Sequence, residues 1–345
     1  MEMRVLGRTG VRVSPLCLGA MMFGAWGNPD HDESVLIIHK ALEAGINFID
    51  TADVYSGGES EEIVGKALAA RRRDTVVLAT KAHARMGDDV NAQGNSRRWV
   101  ISECESSLRR LGTDYIDLYQ IHRPDPAADI DETLGALTDL IRAGKVRYAG
   151  SSTFPPAQIV EAQWTAQRRG RERFVCEQPP YSILVRGVEA EVLPVCQQYG
   201  MGVIPWSPLA SGFLAGKYKR GEPGEGRLET MSSTGNPAFE KRTDRNWPIL
   251  DVLLEAAKEI GRPPAEVALN WVATQRGVSS TIIGATRMSQ LESNLRALDF
   301  TIPAEVRARL DEASRLERAH PYVMFDSAPF PEMINGGVPV RGWGA

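Results

Sequence analysis

The fold is decided by the stretch YIDLYQIHRPDPAADIDETLGALTDLIRAGKVRYAGS, which occupies residues 115–151. It begins with a β-rich run at 115–122 that is too short for a buried helix and too apolar to face water. A helical pattern follows at 130–143 and ends at Gly144, a residue that suits the left-handed position after a helix. A second apolar run then occupies 146–151. This order predicts two parallel strands joined by a covering helix.

The same alternation of a short apolar run and a helical segment recurs along the chain. The apolar runs lie at 15–21, 47–50, 75–81, 115–122, 146–151, 173–178, 202–205 and 281–284. The helical segments lie at 33–44, 59–70, 97–111, 130–143, 156–168, 188–199, 247–260 and 288–298. Strands and helices in this order predict an α/β protein with a (β/α)8 TIM barrel. A doubly wound sheet is the alternative, and it is disfavoured because no G-x-G-x-x-G follows an early strand.

Four segments lie outside this repeat, because the 345 residues exceed the ~250 that such a barrel typically needs. Residues 3–14 predict an N-terminal β-hairpin that plugs the bottom of the barrel. Residues 207–246 form a long, glycine-rich connection after the seventh strand, and connections of this length are usually functional. Residues 263–275 predict an extra helix, and 317–345 an irregular tail that closes the substrate pocket or contacts another subunit. We therefore expect residues 1–345 to form one domain.

The composition excludes several classes of function. Apolar residues make up 43% of the chain, charged residues 24%, and the net charge is −4. A protein that binds the nucleic-acid backbone would need a basic excess, and no segment approaches the ~18 apolar residues of a membrane span. The cysteines are far apart and no two histidines have metal-ligand spacing, so we expect no metal site and a reducing, cytoplasmic location. A metal-dependent barrel hydrolase is disfavoured for the same reason.

Four ionisable residues lie at the C-terminal ends of three successive predicted strands. Asp50 and Tyr55 follow the second strand, Lys81 closes the third and His122 closes the fourth. Each residue alone has an ordinary structural explanation, such as a turn cap or a solvated strand end. Adjacent barrel strands, however, bring all four to one mouth, where the βα loops of such barrels form the active site.

These four residue types together form a tuned general acid directed at a carbonyl oxygen. A phenol titrates near pH ~10, and a neighbouring ammonium favours its ionised form, while a carboxylate holds that ammonium in place. A histidine can orient a substrate carbonyl by hydrogen bonding. An acid that protonates a carbonyl oxygen implies that hydride reaches the carbon, and therefore that a nicotinamide cofactor is present.

The motifs that carry these residues resemble those of the aldo-keto reductase superfamily. The stretch GINFIDTADVY at 45–55 is similar to the signature around the family's catalytic aspartate and tyrosine. VLATK at 77–81 and DYIDLYQIH at 114–122 are similar to the strands that carry its lysine and histidine. LGRTG at 6–10 and QPPYSILVR at 178–186 are closer to the bacterial oxidoreductases and the potassium-channel β-subunit-like branch.

The resemblance implies a role for each of the four residues. Tyr55 would be the proton donor in reduction, Lys81 and Asp50 would tune it, and His122 would orient the carbonyl. The implied reaction is the NADP(H)-dependent reduction of aldehydes, ketones or small sugars to alcohols. The alternative is an NADP(H)-binding regulatory subunit that senses redox state and turns over slowly.

The resemblance also implies NADP(H) as the cofactor, with NAD(H) as the alternative. The segment 150–152 and Gln178 resemble the carboxamide ligands, and Trp206 resembles the residue that stacks on the nicotinamide ring. The segment 207–217 resembles the pyrophosphate belt, and in 284–294 a guanidinium could form a bidentate contact with the ribose 2′-phosphate. The implied cofactor residues are Met21, Ser151, Ser152, Gln178, Trp206, Ser207, Pro208, Leu209, Gly212, Lys217, Gly284, Thr286, Arg287, Gln290 and Asn294.

The remaining expectations concern the substrate and the assembly. The predicted pocket is formed by residues of the βα loops, namely Met22, Trp26, His83, Arg123 and Tyr181. Mixed aromatic and polar walls suit a small-molecule carbonyl compound. The sequence leaves open the physiological substrate, the direction of the reaction and a possible homo-oligomer.

Overall fold

The computed structural model of the chain contains a two-stranded hairpin and an eight-stranded parallel sheet. It describes residues 1–69, 71, 73–222, 226–233, 235–317 and 319–323, with the single residues 333, 336 and 338. The hairpin pairs β1 (Arg4–Val5) with β2 (Arg12–Val13). The parallel strands are β3 (Leu16–Gly19), β4 (Phe48–Asp50), β5 (Val77–Ala82), β6 (Ile116–Ile121), β7 (Val146–Ser152), β8 (Phe174–Gln178), β9 (Gly202–Val203) and β10 (Thr281–Gly284).

The helices lie between these strands and after the last of them. They are α1 (His31–Glu43), α2 (Glu59–Ala69), α3 (Arg97–Leu111), α4 (Ile130–Arg142), α5 (Pro156–Arg169), α6 (Val192–Tyr199), α7 (Arg227–Ser232), α8 (Asn246–Ile260), α9 (Pro264–Ala273), α10 (Met288–Arg296) and α11 (Ala304–Ala313). Short 3₁₀ turns occupy Tyr55–Gly58, Arg73–Thr75, Gly187–Glu189, Ala210–Ala215 and Pro237–Phe239. Within the described residues, no helix combines the length and apolar character needed to cross a bilayer.

The sheet closes on itself and confirms the predicted (β/α)8 barrel. Its strand order is sequential from β3 to β9, with β10 beside β3. At the remaining seam, the backbone amide of Ser279 donates to the Val203 carbonyl at 2.8 Å, and that of Ile282 donates to the Pro205 carbonyl at 2.9 Å. Every strand is therefore parallel to its neighbours, and their C-terminal ends form one rim.

The N-terminal hairpin is also confirmed, and it fills the opposite end of the barrel. Leu6 and Val13 are fully buried in one cluster with the barrel side chains Phe48, Leu118 and Ile204. The interior near the hairpin is thus packed with apolar side chains.

Three segments differ from the sequence-based expectation. The helix predicted at 188–199 begins only at Val192, because Glu191 has a backbone φ of −141°, outside the helical range. The connection 207–246 contains α7 and two 3₁₀ turns. Helix α11 was not predicted, since it buries only Val306 and Leu310 and its apolar pattern is weak. The tail predicted at 317–345 lies mostly outside the described residues.

Gly7 and Gly10 offer a matched test of how closely the hairpin docks. Both have a left-handed φ, +57° and +77°, but only a Cβ on Gly7 would meet backbone, 2.6 Å from the Gly202 nitrogen and 2.7 Å from the Gly200 oxygen. Alanine therefore strains both positions but overpacks only the first. We expect Gly7→Ala to lower the free energy of unfolding in urea by about 1–3 kcal/mol more than Gly10→Ala. Equal losses would contradict the docked hairpin.

Candidate active site

A buried ion pair lies at the C-terminal end of the barrel interior. Lys81 on β5 is fully buried, and its Nζ donates to Oδ1 of Asp50 on β4 at 2.6 Å. The same Nζ donates to the Thr51 carbonyl at 2.8 Å. The two strands are neighbours in the sheet, so the pair spans adjacent strand ends. This geometry gives the ammonium a fixed position, which a solvated lysine would not have.

Tyr55 and His122 complete the group above this pair. The Lys81 Nζ donates to the Tyr55 hydroxyl oxygen at 3.2 Å. The rings of Tyr55 and His122 meet edge to face, with centroids 5.7 Å apart and an interplanar angle of 80°. All four residues singled out from the strand ends, Asp50 included, therefore lie together at one mouth of the barrel.

The electrostatics of the site keep its lysine charged and its histidine neutral. Burial alone would lower the pKa of Lys81, but Asp50 and Tyr55 outweigh it, and the pKa is raised. The pKa of His122 lies well below its usual range, first because of burial and then because of the positive charges of Lys81 and Arg123. A neutral imidazole keeps one N–H, which can donate to a carbonyl oxygen.

Two glutamines satisfy the second oxygen of Asp50. Its Oδ2 accepts from Gln120 Nε2 at 3.0 Å and from Gln178 Nε2 at 2.9 Å. Sequence reasoning missed Gln120, although strand alternation was an available signal: it lies two residues before His122 and faces the same side. The amide nitrogen of Gln178 donates to Asp50 and Gln120 inside the barrel, and no donor among the described residues reaches its Oε1.

Comparison with known proteins gives the family. Residues 15–315 match the model of the Aldo/keto reductase family. The chain belongs to this family.

Several curated relatives align over nearly their whole length. "Uncharacterized oxidoreductase YrpG" of Bacillus subtilis (strain 168) is 38% identical over 322 residues, which cover 90% of this chain and 95% of the relative. "Probable voltage-gated potassium channel subunit beta" of Oryza sativa subsp. japonica is 37% identical, covering 93% and 98%. "Aldo-keto reductase dtxS3" of Metarhizium robertsii is 36% identical, covering 89% of each chain. The family and these relatives support an oxidoreductase.

The residues that the family resemblance assigned to the nicotinamide end lie around one threonine. The Trp206 indole donates to the Thr153 hydroxyl at 3.3 Å, and the Ser152 hydroxyl donates to the Gln178 carbonyl at 3.0 Å. Ser151 is not brought to the mouth, because adjacent side chains of a strand point to opposite faces. Its hydroxyl donates instead to the buried carboxylate of Glu177.

The belt that follows Trp206 has an unusual backbone. Ser207, Ala210 and Ser211 have φ values of 56°, 49° and 58°, and Gly212 has 90°. Left-handed conformations at non-glycine residues cost about 1–3 kcal/mol each and cluster at ligand-binding sites. Open space lies beside Gly212, since a Cβ built there meets nothing within 4 Å. Pro208 is buried and Leu209 packs against the core, which anchors the belt.

The segment after β10 is braced by its own side chains. Gln290 Oε1 accepts from the Thr286 amide at 2.7 Å and from its hydroxyl at 3.0 Å. Asn294 donates to the Gly284 carbonyl at 3.0 Å, and Arg287 is exposed at the start of α10. A contact that the sequence did not reveal comes from the loop after β3. There Asn28 donates to the Thr286 carbonyl at 3.1 Å.

Four of the five predicted substrate residues form two groups. Trp26 lies beside Tyr55, with ring centroids 6.0 Å apart, and the neighbouring Met22 packs against Gly27. His83 and Arg123 are joined through Asn95, whose side chain contacts the His83 ring at 2.9 Å and donates to the Arg123 carbonyl at 2.9 Å.

Tyr181 is not brought to the mouth. It is 1% exposed, donates to Glu189 at 2.7 Å and packs edge-on against Trp271 at a centroid distance of 5.6 Å. It belongs to the apolar cluster beneath the belt, because the backbone after Pro180 pairs with Trp206 and turns away from the rim.

Arg227 is a site residue that sequence reasoning missed. It begins α7, and its Nη2 lies 3.6 Å from the sulfur of Met21. Its Nε is buried without a hydrogen-bond partner in the described part of the chain. Burial lowers its pKa, an effect that the neighbouring charge of Tyr55 opposes. No local signal could reveal this, since the contact depends on the path of the whole 207–246 connection. Lys217, in the same connection, lies over the Tyr218 ring.

The low pKa of His122 predicts a pH effect on stability. Below pH ~6.5 the unfolded chain protonates this imidazole while the folded chain does not. The unfolded state therefore binds more protons, and the free energy of unfolding falls as the pH is lowered. From about pH 7.5 to about pH 5.5, we expect the free energy of unfolding of the wild type to fall by about 1 kcal/mol more than that of His122→Gln. Identical pH dependences in denaturant titrations would show that the histidine is not held neutral.

Proposed function

We propose that this protein is an NADP(H)-dependent carbonyl reductase that converts aldehydes or ketones to alcohols. One observation carries the proposal: the Tyr55 hydroxyl lies 3.2 Å from the buried ammonium of Lys81, with His122 beside it. A phenol in this position can deliver a proton to a carbonyl oxygen, because the ammonium stabilises the phenolate that remains.

The other residues of the site act through this group. Asp50 fixes the ammonium and is itself held by Gln120 and Gln178. His122, neutral at physiological pH, donates its N–H to the carbonyl oxygen and so directs that oxygen at Tyr55. Two donors that converge on one oxygen stabilise the negative charge that develops there during reduction.

The residues around the mouth fit a nicotinamide dinucleotide phosphate. The free Oε1 of Gln178 and the hydroxyl of Ser152 suit a carboxamide, and the Trp206 ring offers a flat face to the nicotinamide. The buried Nε of Arg227, for which the described residues provide no hydrogen-bond partner, suits a phosphate oxygen. Arg287 would bind the 2′-phosphate. When bound, the reduced cofactor supplies the hydride.

The proton-donor role of Tyr55 can be tested by Tyr55→Phe, which removes the hydroxyl and keeps the ring. We expect kcat for an aromatic aldehyde to fall by about 10²–10⁴-fold, while NADPH still quenches protein fluorescence with a similar Kd. Tyr181→Phe is the matched control, because this buried tyrosine bonds Glu189 far from Lys81 and its variant should keep kcat. Activity of Tyr55→Phe within a few-fold of wild type would disprove the assignment.

The cofactor preference can be tested at Arg287. Loss of a charge-assisted contact to the 2′-phosphate should raise KM for NADPH by about 10–100-fold in Arg287→Ala and leave KM for NADH nearly unchanged. Arg168→Ala removes another exposed guanidinium, at the end of α5, and should change neither value. A parallel rise in both KM values would argue against recognition of the 2′-phosphate.

The names of some relatives weakly favour a second function. Proteins called "Probable voltage-gated potassium channel subunit beta" are 37% and 36% identical to this chain. A regulatory subunit of that kind would bind NADP(H) tightly and turn over slowly. Fluorescence titration with NADPH and steady-state turnover on one preparation separate the two functions, since tight binding with negligible turnover across aldehydes and ketones would replace the reductase.

A further inference from the structure

We propose that Arg123 binds a carboxylate carried by the carbonyl substrate, so that oxo acids and carboxylated aldehydes are the preferred substrate class. This inference rests on the proposed reductase function and deepens it. It follows from one guanidinium that is held in place at the mouth and for which no described residue provides a counter-ion.

The guanidinium is anchored on one side only. Its Nη1 donates to the His122 carbonyl at 2.6 Å, to the Thr153 hydroxyl at 3.1 Å and to the Ser152 hydroxyl at 3.4 Å. Its central carbon lies 5.8 Å from the centre of the Trp206 ring. Among the described residues, no acceptor reaches Nη2 or Nε. The edge formed by these two nitrogens can therefore bind both oxygens of a carboxylate.

The charge of Arg123 has no ion-pair partner in the part of the chain that the structure describes. Within the described residues, no carboxylate oxygen lies within 4.0 Å of it. The half-buried side chain has a pKa lowered by burial, against which Tyr55 and Glu177 raise it. Glu177 is a weak counter-charge, because burial raises its pKa to about 7 and its oxygens accept from Ser151 and the Phe154 amide.

The surroundings favour an anion at this position. The charge of Lys81 is already balanced by Asp50, so Arg123 adds an uncompensated positive charge to the rim. Arg123 directly follows His122, the residue proposed to hold the carbonyl oxygen. Its guanidinium lies at the mouth against the Ser152 hydroxyl and the Trp206 ring, so a substrate whose carbonyl contacts Tyr55 and His122 can place a nearby carboxylate against the edge formed by Nη2 and Nε. Desolvated guanidinium–carboxylate contacts are among the stronger interactions in proteins.

The experiment compares acids with their uncharged esters. Purified full-length protein and NADPH are assayed with 2-, 3- and 4-carboxybenzaldehyde and the three corresponding methyl esters, which vary the distance from carbonyl to carboxylate. We expect kcat/KM of the best acid to exceed that of its ester by at least about 10-fold. Arg123→Gln should reduce this acid-to-ester ratio by about 10–100-fold, and because the ratio compares two substrates of the same variant, a general effect on turnover cancels.

Two further variants and an inhibition assay keep the test decisive. Arg227→Gln should raise KM for NADPH and leave the acid-to-ester ratio unchanged, and Arg123→Lys, which keeps the charge but not the paired donors, should give an intermediate ratio. If Arg123→Gln does not fold, competition in the wild type decides, since benzoate should inhibit at least about 10-fold more strongly than benzamide.

The outcomes separate this inference from the function on which it rests. Reduction of acids and esters with equal efficiency, or an acid preference that survives in Arg123→Gln, would overturn the inference and leave the reductase intact. Equal inhibition by benzoate and benzamide would overturn it as well. No reduction of any of the six aldehydes would overturn both.

Discussion

The ion pair between Lys81 and Asp50 is the interaction on which the rest of the site depends. Both side chains are buried, and removing charges from water costs several kcal/mol each, so the pair is stable only if every polar atom finds a partner. The Lys81 ammonium also donates to the Thr51 carbonyl and the Tyr55 hydroxyl, while the side-chain amides of Gln120 and Gln178 donate to the Asp50 carboxylate. Strands β4, β5, β6 and β8 each supply part of this network, so the network forms only when these strands are assembled in the barrel.

A second buried charge network supports the turn that carries Tyr55. Arg110 on α3 donates to the buried Glu61 on α2 at 2.6 Å and also binds Glu103. Its side chain lies against Gly58, where a Cβ would stand 2.7 Å from it. Tyr55 is therefore held by its hydrogen bond with Lys81, and the turn that carries it is supported by the packing of α2 and α3. The negative charge of this network lies outside the barrel, whereas Arg123 and Arg227, which form no ion pair with any described residue, lie at its mouth.

Most of the fold could be predicted from the sequence, because each strand and each helix has its own local pattern. All eight strand positions were expected within a few residues, and α3 and β10 with their observed bounds. The errors occur where the local pattern is weak. Helix α11 was missed because it buries few apolar residues, and α6 was predicted too long because the non-helical Glu191 precedes its first residue. Part of the site could be predicted for a similar reason. Asp50 and His122 lie at strand ends, whose position in a barrel is known once the strands are known.

The sequence by itself determined the barrel, the family and the four residues that meet above its interior, since periodicity and strand-end position are local properties. Only the tertiary structure decided which side chains complete the site. Arg227 reaches it from a connection in which no local pattern singles it out, whereas strand alternation alone could have indicated Gln120. Ser151 lies outside it because its side chain points to the other face of β7, and Tyr181 because the backbone after Pro180 turns away from the rim. Contacts such as these depend on distances between segments far apart in the chain, and a local sequence pattern does not encode those distances.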